Sequence, residues 1–281
     1  MPFTISEQLT YSTVRIESLL ADGSTGTGTG FFFKCLDEAG RQVPVIATNK
    51  HVIANAKEGR FHLTLRDDNG NPLVGQHINI GLEKFEERWI AHPDPNVDLC
   101  VMPINSLLRE ADATGRHFFF ISLDKSLIPT QHELEELGAL EDVIMIGYPN
   151  GIWDAINNMP IVRRGVTATH PNINYEGRKE FMIDAACFPG SSGSPVLLFN
   201  QGSWATRDGG LVAGTRIKLL GLLYAGPQHT AEGEVRIVNV PTQQRAIAIS
   251  TIPNNLGLVI KSSRLLELDD VLRSLIAQAA A

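Results

Sequence analysis

Short runs of β-branched and aromatic residues, broken every few positions by Gly, Asn, Asp or Pro, fill most of the chain as far as Ile260. Runs of this length and content predict strands. They include residues 11–16, 30–34, 43–48, 61–65 and 97–104. After the fourth run, Asp67-Asp68-Asn69-Gly70-Asn71-Pro72 predicts a hairpin, because Asn-Gly readily supplies a two-residue turn. Beyond Ser262 the period changes. Leu265, Leu266, Leu268, Val271, Leu272, Leu275 and Ile276 recur at helical spacing and predict a terminal helix packed on the body. Residues 105–141, with an apolar patch at 117–123 and an acidic stretch at 132–137, read as a connection containing a short helix. The pattern thus divides the chain into a β-rich unit over 1–104, the connection over 105–141, a second β-rich unit over 142–261 and a helix over 262–281. Neither a repeat with a period of about 20 to 50 residues nor a low-complexity tract is present.

Composition narrows the function classes. The chain has 281 residues, 43% of them hydrophobic, enough for a substantial core in two packed halves. A formal charge of −7 and the lack of a Lys/Arg cluster argue against nucleic acid as a partner. The N-terminus lacks a basic segment followed by an apolar one, and no stretch approaches the roughly 18 apolar residues of a membrane span. These features predict a soluble, non-secreted chain without a membrane partner. Cys35, Cys100 and Cys187 are widely spaced among apolar neighbours, which suits buried reduced thiols and favours the cytoplasm. There is no HExxH and no CxxC, and His62, His77, His92, His117, His132, His170 and His229 show no metal spacing, so neither a metal nor another cofactor is expected. Gly26-Thr27-Gly28-Thr29-Gly30 could suggest a phosphate loop, but the strand-like Phe31-Phe32-Phe33 follows it and supplies no helix N-terminus for an anion.

The candidate chemistry centres on Asp184-Ala185-Ala186-Cys187-Phe188-Pro189-Gly190-Ser191-Ser192-Gly193-Ser194-Pro195-Val196. Alone, its Gly-Ser-Ser-Gly-Ser-Pro core would read as a surface turn. Two polar residues upstream change that reading. His51 closes Val45-Ile46-Ala47-Thr48-Asn49-Lys50-His51, and Asp98 interrupts Asn96-Val97-Asp98-Leu99-Cys100-Val101-Met102. A serine alcohol is a weak nucleophile that needs a histidine base and a carboxylate to orient it, and this chain carries candidates for all three.

In order and context, His51, Asp98 and Ser192 resemble the trypsin-like serine peptidases, closest in look to the bacterial branch that includes the HtrA-type proteases. Thr27-Gly28-Thr29-Gly30-Phe31-Phe32, Val143-Ile144-Met145-Ile146-Gly147-Tyr148-Pro149, Gly165-Val166-Thr167 and Asn255-Leu256-Gly257-Leu258-Val259-Ile260 extend the likeness over roughly residues 14 to 262. The resemblance implies an all-β chain with two six-stranded antiparallel β-barrels of the chymotrypsin type, followed by the C-terminal α-helix. His51 and Asp98 belong to the first barrel and Ser192 to the second. It also implies that Ser192 attacks a peptide carbonyl, that His51 takes and returns its proton, and that Asp98 fixes the imidazole tautomer. The backbone N–H groups of Gly190 and Ser192 would stabilise the oxyanion, with Gly190 and Gly193 supplying backbone conformations that other residues resist. The primary pocket would be walled by residues 184–188, including Ala186 and Cys187, and by residues 222–226, with Gly257 at its back. Tyr224-Ala225-Gly226 would be the edge that pairs with substrate.

Departures from the family refine the expectation. Ser191 stands where digestive members carry an acid that pairs with a freshly cut N-terminus, and no basic cleavage site followed by Ile-Val-Gly-Gly is present. Activation by N-terminal insertion is therefore not expected. Lys50 precedes the histidine where a small residue is common, and its stem is expected to point to solvent. Ser194 replaces a glycine, and too few residues follow Ile260 for an appended peptide-recognition module. Ala186 occupies the position where trypsin has its base-selecting acid, which implies a preference for small to medium apolar side chains on the acyl side of the cut bond. Protein or peptide substrates follow, and restraint on cutting would come from loop order or from a regulatory protein partner. A second reading stays open: a latent or inactive peptidase-fold module that binds or senses a protein partner. An α/β-hydrolase is disfavoured by the triad order and by Ser194 at the fifth position of its elbow motif.

Overall fold

A computed structural model describes residues 3–38, 41–226, 228–231, 250–253 and 255–279. The strands, in chain order, are β1 (Thr13–Leu20), β2 (Thr25–Glu38), β3 (Arg41–Thr48), β4 (Ala56–Arg66), β5 (Pro72–Glu83), β6 (Ile90–Ala91), β7 (Cys100–Pro103), β8 (Asp142–Gly147), β9 (Ile161–Thr167), β10 (Glu180–Asp184), β11 (Pro195–Ala205), β12 (Leu211–Ala225), β13 (Gln228–Ala231), β14 (Ser250–Pro253) and β15 (Leu256–Lys261). The helices are α1 (Ile5–Thr10), α2 (Lys50–Ile53), α3 (Asn105–Ala113), α4 (Gln131–Glu135), α5 (Ser263–Leu266) and α6 (Leu268–Ala279). The protein is mostly β, with two large antiparallel sheets. The second sheet is a closed six-stranded barrel in the order β10-β15-β12-β11-β8-β9, while β13 and β14 form a separate two-stranded ribbon.

The first sheet departs from the expected six-stranded barrel. It has seven strands in the order β5-β4-β1-β2-β3-β7-β6, and its ladder does not close between the outer strands. The outermost strand β6 has two residues, and β5 is largely exposed and pairs with β4 alone. Residues 117–123 of the connection hydrogen-bond to the backbone of β2 and β4. The N–H groups of Arg66 and Phe119 meet the carbonyls of His117 and Thr64 at 2.9 and 2.8 Å, and Leu123 exchanges bonds with Phe32 and Lys34 at 2.9 Å each. The connection also contains two helices, α3 and α4, where one was expected; α4 starts at a capping box between Thr130 and Glu133. The predicted hairpin joins β4 to β5, with Gly70 at φ 82°.

Period-two alternation explains the Phe31-Phe32-Phe33 run. Phe31 and Phe33 enter a core shared by both sheets, with Ala47, Leu99, Ile146, Leu197 and Leu222, whereas Phe32 enters the core of the first sheet with Ile16, Ile46 and Phe61. Each fully buried phenylalanine contributes on the order of 1.5–3 kcal/mol. The shared core fixes the two sheets against each other, and the candidate site lies along their junction. The terminal helix is broken into α5 and α6. Leu265, Leu268 and Leu272 join the shared core, but Leu266, Leu275 and Ile276, predicted to pack inward, are exposed. Asp269 anchors this segment by accepting from the Leu36 N–H at 3.0 Å and from Lys125 at 2.8 Å. Cys35, Cys100 and Cys187 are free and buried. No helix of the described residues is long and apolar enough to cross a membrane.

Candidate active site

β3 and β7 pair antiparallel with Thr48 opposite Cys100, so the chain leaving β3 and the chain entering β7 meet at one end of the sheet. Three residues past Thr48 lies His51, on the one-turn helix α2 rather than in the expected strand. Asp98 lies in an extended stretch two residues before β7. The register therefore brings the pair together. His51 Nδ1 lies 2.5 Å from Asp98 Oδ2, and the His51 backbone N–H donates to Oδ1 at 3.1 Å. Both carboxylate oxygens are thus held by one residue. Burial, the largest single influence on Asp98, pushes its carboxyl up. The hydrogen bond and charge of His51, with the backbone N–H groups of His51 and Lys50, outweigh burial and leave it below the usual carboxylate value. Lys50 does not point freely to solvent, since its amine donates to the carbonyls of Asp94 and Pro95 at 3.2 and 3.5 Å.

Ser192 sits in the loop between β10 and β11, flanked by Gly190 at φ +83° and Gly193 at φ +86°. Both glycines are required twice over. A Cβ at 190 would come within 2.6 Å of the Tyr148 carbonyl oxygen, and one at 193 within 1.9 Å of the Thr29 carbonyl oxygen. Thr29 of β2 clasps this loop across the two sheets. Its N–H donates to the Ser192 carbonyl at 2.9 Å, its hydroxyl donates to the Gly190 carbonyl at 2.9 Å, and that hydroxyl accepts from the Tyr148 N–H at 3.1 Å. The Pro189 carbonyl accepts from the Asn150 N–H at 2.5 Å. In a trans peptide this turns the Gly190 N–H to the opposite side, away from Asn150. Among the described residues, neither the Gly190 nor the Ser192 N–H has a protein acceptor.

His51 and Ser192 line one cleft of about 490 Å³, together with Cys187, Tyr224, Ala225 and Gly226. The Ser192 hydroxyl faces the Tyr224 carbonyl at 3.5 Å, and no hydrogen bond joins it to His51. Two expected wall residues, Ala186 and Gly257, are not among the residues that line this cleft. The Ala186 carbonyl accepts from Arg163, and Gly257 packs behind Cys187 and Leu223. A Cβ at 257 would lie 2.6 Å from Cys187 Sγ and 2.5 Å from Leu223. Burial pushes the Cys187 thiol up to about 11, so it meets the cleft as a neutral group at physiological pH. No group of three or more His, Cys, Asp or Glu side chains among the described residues could hold a metal ion.

Sequence reading did not single out Thr29, Asn150 or Arg163. Thr29 lies inside a Thr-Gly alternation that reads as turn chemistry. Arg163 carries a weak signal, a charge on the inward-facing set of β9 formed with Ile161, Gly165 and Thr167.

Residues 28–205 match the family model of the trypsin-like peptidase domain. Among solved structures, the inactive form of the Rv3671c protease from M. tuberculosis H37Rv is 16% identical, with 92% of this chain and 88% of that chain covered and a TM-score of 0.43. A serine endoprotease from Yersinia pestis is 15% identical, with 97% of this chain and 67% of that chain covered and a TM-score of 0.46. No curated protein matches the chain. The family match spans more than half of the sequence, and the chain belongs to the trypsin-like peptidase domain family.

Proposed function

We propose that the protein is a serine endopeptidase that cuts protein or peptide substrates through an acyl-enzyme. The observation that carries this reading is the His51–Asp98 pair, held by two hydrogen bonds, with His51 lining the same cleft as Ser192. Ser192 Oγ bonds to the carbonyl carbon while its proton passes to His51 Nε2. The proton then goes to the leaving amine, and water repeats the sequence to release the acid. Asp98 keeps the proton on Nδ1, leaving Nε2 free to accept. The N–H groups of Gly190 and Ser192 receive the oxyanion, and the lack of protein acceptors for them suits that role.

The Tyr224 carbonyl that meets Ser192 in the free protein is the group that the N–H of a bound substrate backbone would engage. Binding then frees the serine for His51. The neutral thiol of Cys187 and the close backing by Gly257 support a small to medium apolar side chain on the acyl side of the cut. A peptide library varied at that position, digested by wild type, Ser192→Ala and Cys187→Ala, tests both parts. Cleavage after Ala, Val or Leu that disappears in Ser192→Ala is expected. Cys187→Ala should shift the preference toward larger side chains by about 10-fold, the order that one methylene-sized change in a pocket produces. Cleavage mainly after Arg or Glu, or cleavage that survives Ser192→Ala, refutes the reading. The second reading, a latent module of this fold that responds to a protein partner, is favoured by one feature: the Ser192 hydroxyl rests on Tyr224 instead of His51.

A further inference from the structure

The loop that presents Ser192 is held from beneath by a half-buried guanidinium. β9 pairs with the end of β10, Val166 opposite Asp184, and Gly165 lets the two approach so closely that a Cβ there would lie 2.3 Å from the Asp184 carbonyl oxygen. At Asp184 the ladder stops, and the chain from Ala185 to Ser194 leaves the barrel wall. Arg163, two residues from Gly165 on the same face of β9, takes over where the ladder ends. One of its terminal nitrogens donates to the Ala186 carbonyl, and the other donates to Ser191 Oγ at 3.0 Å. The Ser191 hydroxyl is itself fully buried and also accepts from the Phe188 N–H at 3.3 Å. One cation thus pins both ends of the segment containing Cys187, Phe188, Pro189 and Gly190, immediately before the nucleophile.

Two features separate this arrangement from an ordinary structural arginine. No carboxylate partners Arg163 among the described residues, and its Nε is buried without a hydrogen-bond partner. A partly desolvated guanidinium compensated only by a carbonyl and a hydroxyl is costly, and that cost falls on the segment that orients the Gly190 N–H. Burial lowers the affinity of Arg163 for its proton, yet an arginine remains cationic at any ordinary pH. We infer that Arg163 is a positioning residue for the oxyanion loop: a built-in internal cation that holds the segment from Ala186 to Ser191 in its working shape without a cleaved N-terminus. The role rests on the peptidase reading above and adds to it. It assigns to β9 the ordering of a loop that is otherwise tied to Thr29, Asn150, Leu223 and Asn255.

The test is the rate of fluorophosphonate labelling at Ser192 in the full chain, with inhibitor concentration varied to separate maximal rate from affinity. Arg163→Ala should keep its far-UV circular dichroism and lower the maximal rate by about 10²-fold, the order lost with one oxyanion donor, while affinity changes little. Arg163→Lys, which can serve one acceptor but not the fork, should fall between. Sub-denaturing guanidinium should partly restore labelling of Arg163→Ala and leave Ser192→Ala unlabelled. A purely packing role would give neither the rescue nor the selective loss of maximal rate. If Arg163→Ala does not fold, Ser191→Ala carries the test by removing one of the two acceptors with little change of volume, and a smaller loss of the same kind is expected. Labelling of either variant at the wild-type rate overturns the positioning role alone. A folded wild type that takes no label overturns the peptidase reading and this role together.

Discussion

Replacing Asp98 by Asn changes one atom of the site and should disable the base. In the native protein both carboxylate oxygens accept, Oδ2 from the His51 ring at 2.5 Å and Oδ1 from the His51 backbone N–H at 3.1 Å. A carboxamide offers one acceptor and one donor. If its oxygen keeps the backbone N–H, its NH₂ faces Nδ1, and the ring proton moves to Nε2, where it blocks acceptance from Ser192. If its oxygen keeps the ring, the NH₂ confronts the backbone N–H and leaves that donor unsatisfied, at about 1–3 kcal/mol. The blocked tautomer therefore dominates by roughly 10- to 100-fold. Loss of the charge opposite the imidazolium adds about 1–2 kcal/mol, since ionic hydrogen bonds are about twice as strong as neutral ones. Together the fall is about 10²–10⁴-fold in kcat/KM, with the fold intact. Kinetics on a peptide with Ala or Val before the cut, beside Asp98→Ala as a control that imposes no tautomer, measure it. Asp98→Asn retaining more than about a tenth of wild-type activity would refute the reasoning.

Three further outcomes follow from the geometry. Gly190→Ala should lose about 10²–10³-fold in peptide hydrolysis, because its Cβ would press on the Tyr148 carbonyl at φ +83°; a near-native rate would mean that this N–H does not receive the oxyanion. Thr29→Val should lower the denaturant midpoint and the hydrolytic rate together, since the buried Gly190 carbonyl and Tyr148 N–H each lose a partner at about 1–3 kcal/mol; an unchanged midpoint would contradict the clasp. The lowered Asp98 carboxyl contributes stability that is present in full above its unfolded value of 3.8 and is lost as pH falls through its lower folded value. Thermal melts of wild type and Asp98→Asn should accordingly converge only in acid, and a constant gap across that range would contradict the assignment.

Much of this architecture was legible because local rules and tertiary structure agree. The Asn69-Gly70 hairpin, the alternation of Phe31, Phe32 and Phe33 and the buried thiols are where pattern alone puts them. His51, Asp98 and Ser192 could be named through family likeness, but that Thr48 opposes Cys100 is a fact of register that no linear motif states. What escaped depends on partners distant in sequence. Residues 117–123, read as connection, hydrogen-bond to the backbone of β2 and β4. The Arg163 contact to the Ala186 carbonyl is of the same kind, a cation on β9 reaching a loop distant in sequence. Leu275 and Ile276 fit the helical period yet lie beyond the reach of the core that holds Leu268 and Leu272.

The central claim is that serine, base and oxyanion donors act together in this one chain. Fluorophosphonate labelling of the purified protein, with the adduct mapped by mass spectrometry, tests it most directly. The account predicts one adduct on Ser192, lost in Ser192→Ala and strongly slowed in His51→Ala. A well-folded wild type that remains unlabelled, or that carries the adduct on another residue, would contradict it.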